Sequence, residues 1–137
     1  MGLVLDSSIL IAAEREARPV SGLLAMLGQL HGETEIVISS ITVIELDHGL
    51  HRANTAELAR KRRQYLDAVF ASIPVEPFTK EMAQAAAKID ADARQTGCTI
   101  PFPDLLIGVT ALQFGYALGT RNVRHFRLIP GLNVILM

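Results

Sequence analysis

Three acidic residues, Asp6, Glu45 and Asp104, each stand at the edge of an apolar segment, where carboxylates can do chemistry with a cation. Asp6 ends the apolar opening Met1-Gly-Leu-Val-Leu5, which reads as a buried strand. Glu45 follows a second apolar run, Ile36-Val-Ile38, within the helix start Ser40-Ile-Thr-Val-Ile-Glu45. Asp104 follows Pro101-Phe-Pro103 and opens an apolar helix from Leu105 to Phe114. In an open α/β sheet, the carboxyl ends of the strands and the first turns of the following helices converge on one rim. Three carboxylates distant in sequence can meet there. Like charges gather stably only around a cation, and an all-oxygen site suits Mg2+ or Mn2+. Such an arrangement is nuclease-like.

Each acid also has a plainer account. Asp6 would serve as a helix cap, although Ser7 and Ser8 are equally good caps and leave the acid free. Thr42-Val-Ile-Glu45 matches a capping box, in which the glutamate bonds back to the helix start. Asp104 occupies a first turn, where the helix dipole favours negative charge. Its flanks say more: Pro103 fixes the entry, and Leu105, Leu106, Ile107 and Val109 bury the helix behind it as a rigid anchor. His48 and His51, beside Glu45 and Asp47, suggest zinc, but no third ligand accompanies them, and a solvated helix face explains them better.

The elements that must position these residues alternate along the chain. Leu3 to Leu5 reads as a strand, and Ser7 or Ser8 caps a short helix through Ala13. Pro19 opens a second helix, with Leu23, Leu24, Leu27 and Leu30 on one face and an end at His31-Gly32. Glu35 to Ser39 is the next strand, followed by a helix from Thr42 and another over Ala56 to Ala71. Ile73 to Glu76 is a short strand between breakers. Thr79 caps a helix reaching about Thr96, which Gly97 ends. The Asp104 helix precedes strands near Tyr116 to Gly119 and Val134 to Leu136. Interleaving of this kind predicts a three-layer α/β/α fold around a mainly parallel sheet of four or five strands.

A length of 137 residues predicts one domain over residues 1–137, with a generous core because half the residues are hydrophobic. The formal net charge of −1 gives no overall basic field for nucleic acid. Basic residues do cluster locally, in Arg60-Lys-Arg-Arg63 and in Arg121, Arg124, His125 and Arg127. The first block is either a solvated helix face or, if it lies on the acidic rim, a phosphate contact. The alanine-rich stripe of the Thr79 helix is close packing or a dimer seam. A single cysteine, Cys98, excludes an internal disulfide and a cysteine zinc cluster, as fits a reducing cytosol. Neither a signal peptide nor a membrane span is legible, so the expectation is a soluble, cytoplasmic protein.

Five segments together resemble the PIN-domain family: Leu3-Val-Leu-Asp-Ser-Ser-Ile-Leu-Ile11, Ile41-Thr-Val-Ile-Glu-Leu46, Ile100-Pro-Phe-Pro-Asp-Leu-Leu-Ile107, Gly119-Thr-Arg-Asn-Val-Arg-His-Phe126 and Ile129-Pro-Gly-Leu-Asn-Val134. The last is similar to the toxin branch, the VapC toxins of bacterial VapBC toxin–antitoxin pairs. The resemblance implies that Asp6, Glu45 and Asp104 are catalytic, metal-binding acids, with Ser7 as the hydroxyl residue that follows the first. It implies a threonine near the site at Thr120 and a fourth acid at the position where this chain has Asn122. Arg121 and Arg124 would contact substrate phosphate, and His125 stands where an acid or histidine is usual. The implied activity is Mg2+- or Mn2+-dependent cleavage of RNA by a toxin, often a homodimer, that a cognate VapB-like antitoxin silences. The alternative is a catalytically silent PIN domain that binds RNA or protein, with Asn122 marking lost metal affinity.

Other doubly wound folds with a leading Asp fit worse. A dehalogenase-like phosphatase needs an acid where Ser8 stands, and a phosphoreceiver domain needs an acidic pair at the first strand's end. No Gly-x-x-x-x-Gly-Lys loop is present for an NTPase.

Overall fold

In the computed structural model, which describes residues 1–137, five strands form one sheet. They are β1 (Gly2–Leu5), β2 (Glu35–Ser39), β3 (Val75–Glu76), β4 (Ala117–Thr120) and β5 (Val134–Leu136). The order is β3-β2-β1-β4-β5, and every neighbouring pair is parallel. Parallel neighbours need crossovers, and seven helices supply them: α1 (Ser7–Arg15), α2 (Val20–His31), α3 (Ser40–His51), α4 (Ala56–Ser72), α5 (Lys80–Gln95), α6 (Phe102–Phe114) and α7 (Val123–Phe126). No helix is long and apolar enough to cross a membrane.

Side-chain alternation along the central strands divides the core into two layers. Leu3 and Leu5 of β1 and Ile38 of β2 pack with Leu10, Leu23, Leu27, Leu46, Leu66 and Val69 on one face. Val4 and Val37 turn the other way, toward Met82, Leu105, Ile107, Val109 and Phe126. Burial on both faces is why β1 reads as a continuous apolar run rather than an alternating one. The expected α/β/α architecture with a parallel five-strand sheet is therefore present.

Chain order decides where the site falls. From β1 the chain steps outward to β2 and β3, then returns to lay β4 on the opposite side of β1. That reversal makes the gap beyond the carboxyl ends of β1 and β4 a switch point, the usual ligand crevice of open α/β sheets. Asp6 follows β1 directly, and Thr120 is the last residue of β4. Side chains crowd in there: a Cβ on Gly119 would stand 2.7 Å from Met137 Sδ and 3.4 Å from Leu5 Cδ2.

Several local expectations give way. Helix α1 has no side-chain cap, so neither Asp6, Ser7 nor Ser8 acts as one. Helix α3 starts at Ser40, with the Ser39 hydroxyl accepting from Ile41 N at 3.1 Å, so the predicted capping box over Thr42–Glu45 does not form. Glu45 is instead the sixth residue of that helix, too far along to reach its start. Helix α6 begins at Phe102, which puts Asp104 in its first turn with Pro103 ahead of it. Helix α7 was not expected, because four residues carry no readable period.

Candidate active site

Asp6 is 5% exposed, yet its carboxylate is not left bare. Oδ2 accepts from Ser8 Oγ at 2.8 Å and from Thr120 Oγ1 at 2.9 Å. Each hydroxyl in turn accepts a backbone N–H: Arg121 N reaches Ser8 Oγ and Asn122 N reaches Thr120 Oγ1, both at 3.0 Å. Hydrogen-bond chains polarise their members, so both donors to Asp6 are strengthened. The arrangement consumes one carboxylate oxygen and leaves Oδ1 without a protein partner.

Glu45 reaches the same space from α3. Its Oε1 is buried and has no hydrogen-bond partner. Burial, then the nearby charges of Asp6 and Asp104, lift its pKa from 4.5 to about 7, while the Ser7 hydroxyl pulls the other way. Asp104 comes from the first turn of α6, and its Oδ2 lies 2.9 Å from Nδ1 of His125 on α7. Burial raises the Asp104 pKa as well, against the lowering effect of the His125 hydrogen bond. Three carboxylates thus repel one another across a shared cavity, and two of them are displaced toward their neutral forms.

The cavity has a volume of about 920 Å³ and takes in Asp6, Ser7, Glu45, Asp104, Arg121, Asn122 and Arg124. Of the residues expected here only Thr120 lies behind the wall, fully buried, acting through Asp6. Arg121 Nη1 pairs with Glu16 Oε1 at 3.3 Å, whereas Arg15 and Arg124 make no ion pair. No three acidic or histidine side chains close on one point as a finished metal cage. The trio lines an open basin instead.

No residue of the basic block Arg60-Lys-Arg-Arg63 lines this cavity. Lys61 and Arg63 make surface pairs with Glu57 and Asp67, and Arg62 turns inward to Gly49 O at 2.6 Å. His48 bonds Arg52 on an exposed helix face. Sequence reasoning missed Ser8, Arg15 and Glu16 as cavity residues. A signal existed, since Ser8, Ile11, Ala12 and Arg15 follow at three- and four-residue spacing and share one face of α1.

This geometry coincides with clear sequence and structural likeness. Residues 3–131 match the PIN domain family. Ribonuclease VapC1 of Rickettsia felis is 34% identical over 135 residues, which cover 98% of this chain and 96% of the relative. Ribonuclease VapC of Rickettsia bellii is 30% identical, with the same coverage of 98% and 96%. Among solved structures, VapBC2 from Rickettsia felis bound to a promoter DNA fragment superposes with a TM-score of 0.85 at 24% identity, over 100% of this chain and 99% of that one. DNA-bound VapBC from Salmonella typhimurium gives 0.83 at 21% identity, over 98% and 97%. The structural neighbours share the fold, the sequence relatives share the lineage, and the chain belongs to the PIN domain family.

Proposed function

We propose that residues 1–137 form one PIN domain that acts as a metal-dependent endoribonuclease, the toxin of a type II toxin–antitoxin pair. Asp6, Glu45 and Asp104 are its catalytic acids and the ligands of Mg2+ or Mn2+. The observation that carries this reading is the orphaned, buried Oε1 of Glu45 beside two further carboxylates. An unpartnered acceptor and mutual repulsion both call for a cation. An open basin suits Mg2+, which keeps several waters and needs only one or two carboxylates besides substrate phosphate. Relatives that are ribonucleases support RNA as substrate, and the VapBC assemblies among the structural neighbours support a VapB-like antitoxin as partner.

A cation held there by Asp6, Glu45 and Asp104 would neutralise charge on the phosphodiester and lower the pKa of water for attack on phosphorus. The chain's own residues prepare for that step. Ser8 and Thr120 hold Asp6 by one oxygen and leave the other facing the basin. His125 fixes the orientation of Asp104, and Ser7 stands with Glu45 in the wall of the basin. Arg124, exposed on the rim and free of any carboxylate, receives substrate phosphate.

The test is cleavage of RNA by purified protein in Mg2+ or Mn2+. Asp6→Asn and Asp104→Asn should each lower the rate on the order of 100-fold or more, the scale on which essential electrostatic groups act. Parental cleavage by either variant refutes the assignment. One observation favours the silent-domain alternative: Asn122 lines the basin where the resemblance implies a fourth acid. Calorimetric titration with Mn2+ discriminates, because a silent domain gives no specific binding isotherm.

A further inference from the structure

A second cavity, of about 190 Å³, opens beside the basin among α1, α3 and α4. Ile11, Arg15 and Glu45 line both spaces and form their common rim. The smaller space is lined by Leu46, Leu66, Tyr65 and Arg62, and by Glu14, whose Oε1 lies 3.9 Å from Arg62 Nε. The planar groups of Tyr65 and Arg62 are held in place. The Tyr65 hydroxyl donates to Leu10 O at 2.8 Å, and Arg62 Nη1 donates to Gly49 O at 2.6 Å.

Arg15 is the conspicuous member of the rim. It is exposed and makes no ion pair, although Glu16 and three further carboxylates line the basin with it. The dipole of α1 favours a cation at the helix end but does not choose a face. Arg15 stands on the face of Ser8 and Ile11, which is the face that meets both cavities.

We propose that the second cavity is a nucleotide subsite, which takes the base next to the scissile phosphate of single-stranded RNA while Arg15 holds the intervening phosphate. The assignment rests on the ribonuclease reading of the basin. Its volume falls below the roughly 300 Å³ at which pockets for whole small molecules begin, so it suits one unit of a longer chain. Unstacked bases are received on aromatic rings and guanidinium planes, and Tyr65 and Arg62 offer one of each. A guanidinium without a counter-ion, set between the two spaces, is where a polyanion would cross.

The test is fluorescence anisotropy of a labelled single-stranded oligouridylate, with Ca2+ replacing Mg2+ to suppress turnover, over a series of salt concentrations. Losing one phosphate contact, Arg15→Ala should weaken binding and reduce the slope of log K against log salt by about 0.7. Gly49 lines the subsite, and a Cβ there would meet nothing within 4 Å, so Gly49→Leu occupies the space while improving the helix. It should weaken binding on the order of 10-fold, the scale of one lost base stack, with the parental salt slope and no loss of melting temperature. A parental slope in Arg15→Ala, or parental affinity in a stably folded Gly49→Leu, overturns the proposal and leaves the cavity to a polypeptide partner. A cleavage assay in Mn2+ runs alongside. If the parent cleaves no RNA but both binding signatures appear, the ribonuclease reading falls and the subsite stands as an RNA-binding site. If the parent cleaves and the signatures are absent, the subsite alone falls.

Discussion

Replacing Glu45 by glutamine should make the metal-free protein more stable at alkaline pH and leave its stability unchanged in acid. A carboxyl moved from 4.5 to about 7 has its charged form disfavoured, and that displacement corresponds to about 3 kcal/mol. The side chain is only partly buried, so solvent screening reduces the figure to about 1–2 kcal/mol. Below pH 4.5 the group is protonated in the folded and the unfolded chain alike, and Glu45→Gln changes little. Between pH 4.5 and about 7 the folded protein keeps a proton that the unfolded chain has released. Stability therefore falls as pH rises through that window and is level above it. The variant lacks the fall. Thermal unfolding in EDTA at pH 4 and pH 8 reads the effect directly, as a gain of roughly 4–8 °C at the higher pH only. Saturating Mn2+ should then close the gap, because the parent regains what repulsion had cost and the variant does not. A Glu45→Gln protein that melts at or below the parent at pH 8 without metal would show that the three carboxylates do not frustrate one another.

Two further perturbations probe the supports of the site. Thr120→Val keeps the shape of a fully buried side chain but removes a donor to Asp6, and should weaken Mn2+ binding about 10-fold or more, as loss of an outer-shell partner does; calorimetry with unchanged affinity would deny Thr120 that role. Gly108→Ala would push a Cβ against Ile129, which is 2% exposed and has no room to retreat. Overpacking of this kind costs about 1–3 kcal/mol and outweighs the modest helical gain from alanine. A melting temperature equal to the parent's would mean that α6 and the segment after α7 are less tightly packed than described.

The sheet and most helices were legible because their signals are local. Apolar runs bounded by turn residues marked β1 and β2, and Gly32 and Gly97 marked helix ends where the backbone takes a positive φ of 70° and 78°. The placement of three acids at strand ends and first turns was legible for the same reason. The start of α3 was not. Ser39 and Thr42 both have the chemistry of a cap, and the choice depends on where β2 stops pairing with β3. That choice has a functional consequence, since it turns Glu45 from a capping residue into a wall of the basin. The hydroxyls of Ser8 and Thr120 were harder still, because their shared target is a carboxylate 114 residues away from Thr120. Arg15 has a readable spacing from Ser8, but only the assembled sheet says which face of α1 looks into the crevice.

Strand β1 precedes the other strands in chain order and sits at the middle of the sheet, while β4, its neighbour on the side of the basin, comes fourth. Asp6 cannot receive its hydrogen bond from Thr120 until synthesis has passed β4. A ribosome carrying a half-made copy therefore holds scattered acids and no working crevice. Folding order itself keeps the crevice unformed until β4 has emerged and joined β1.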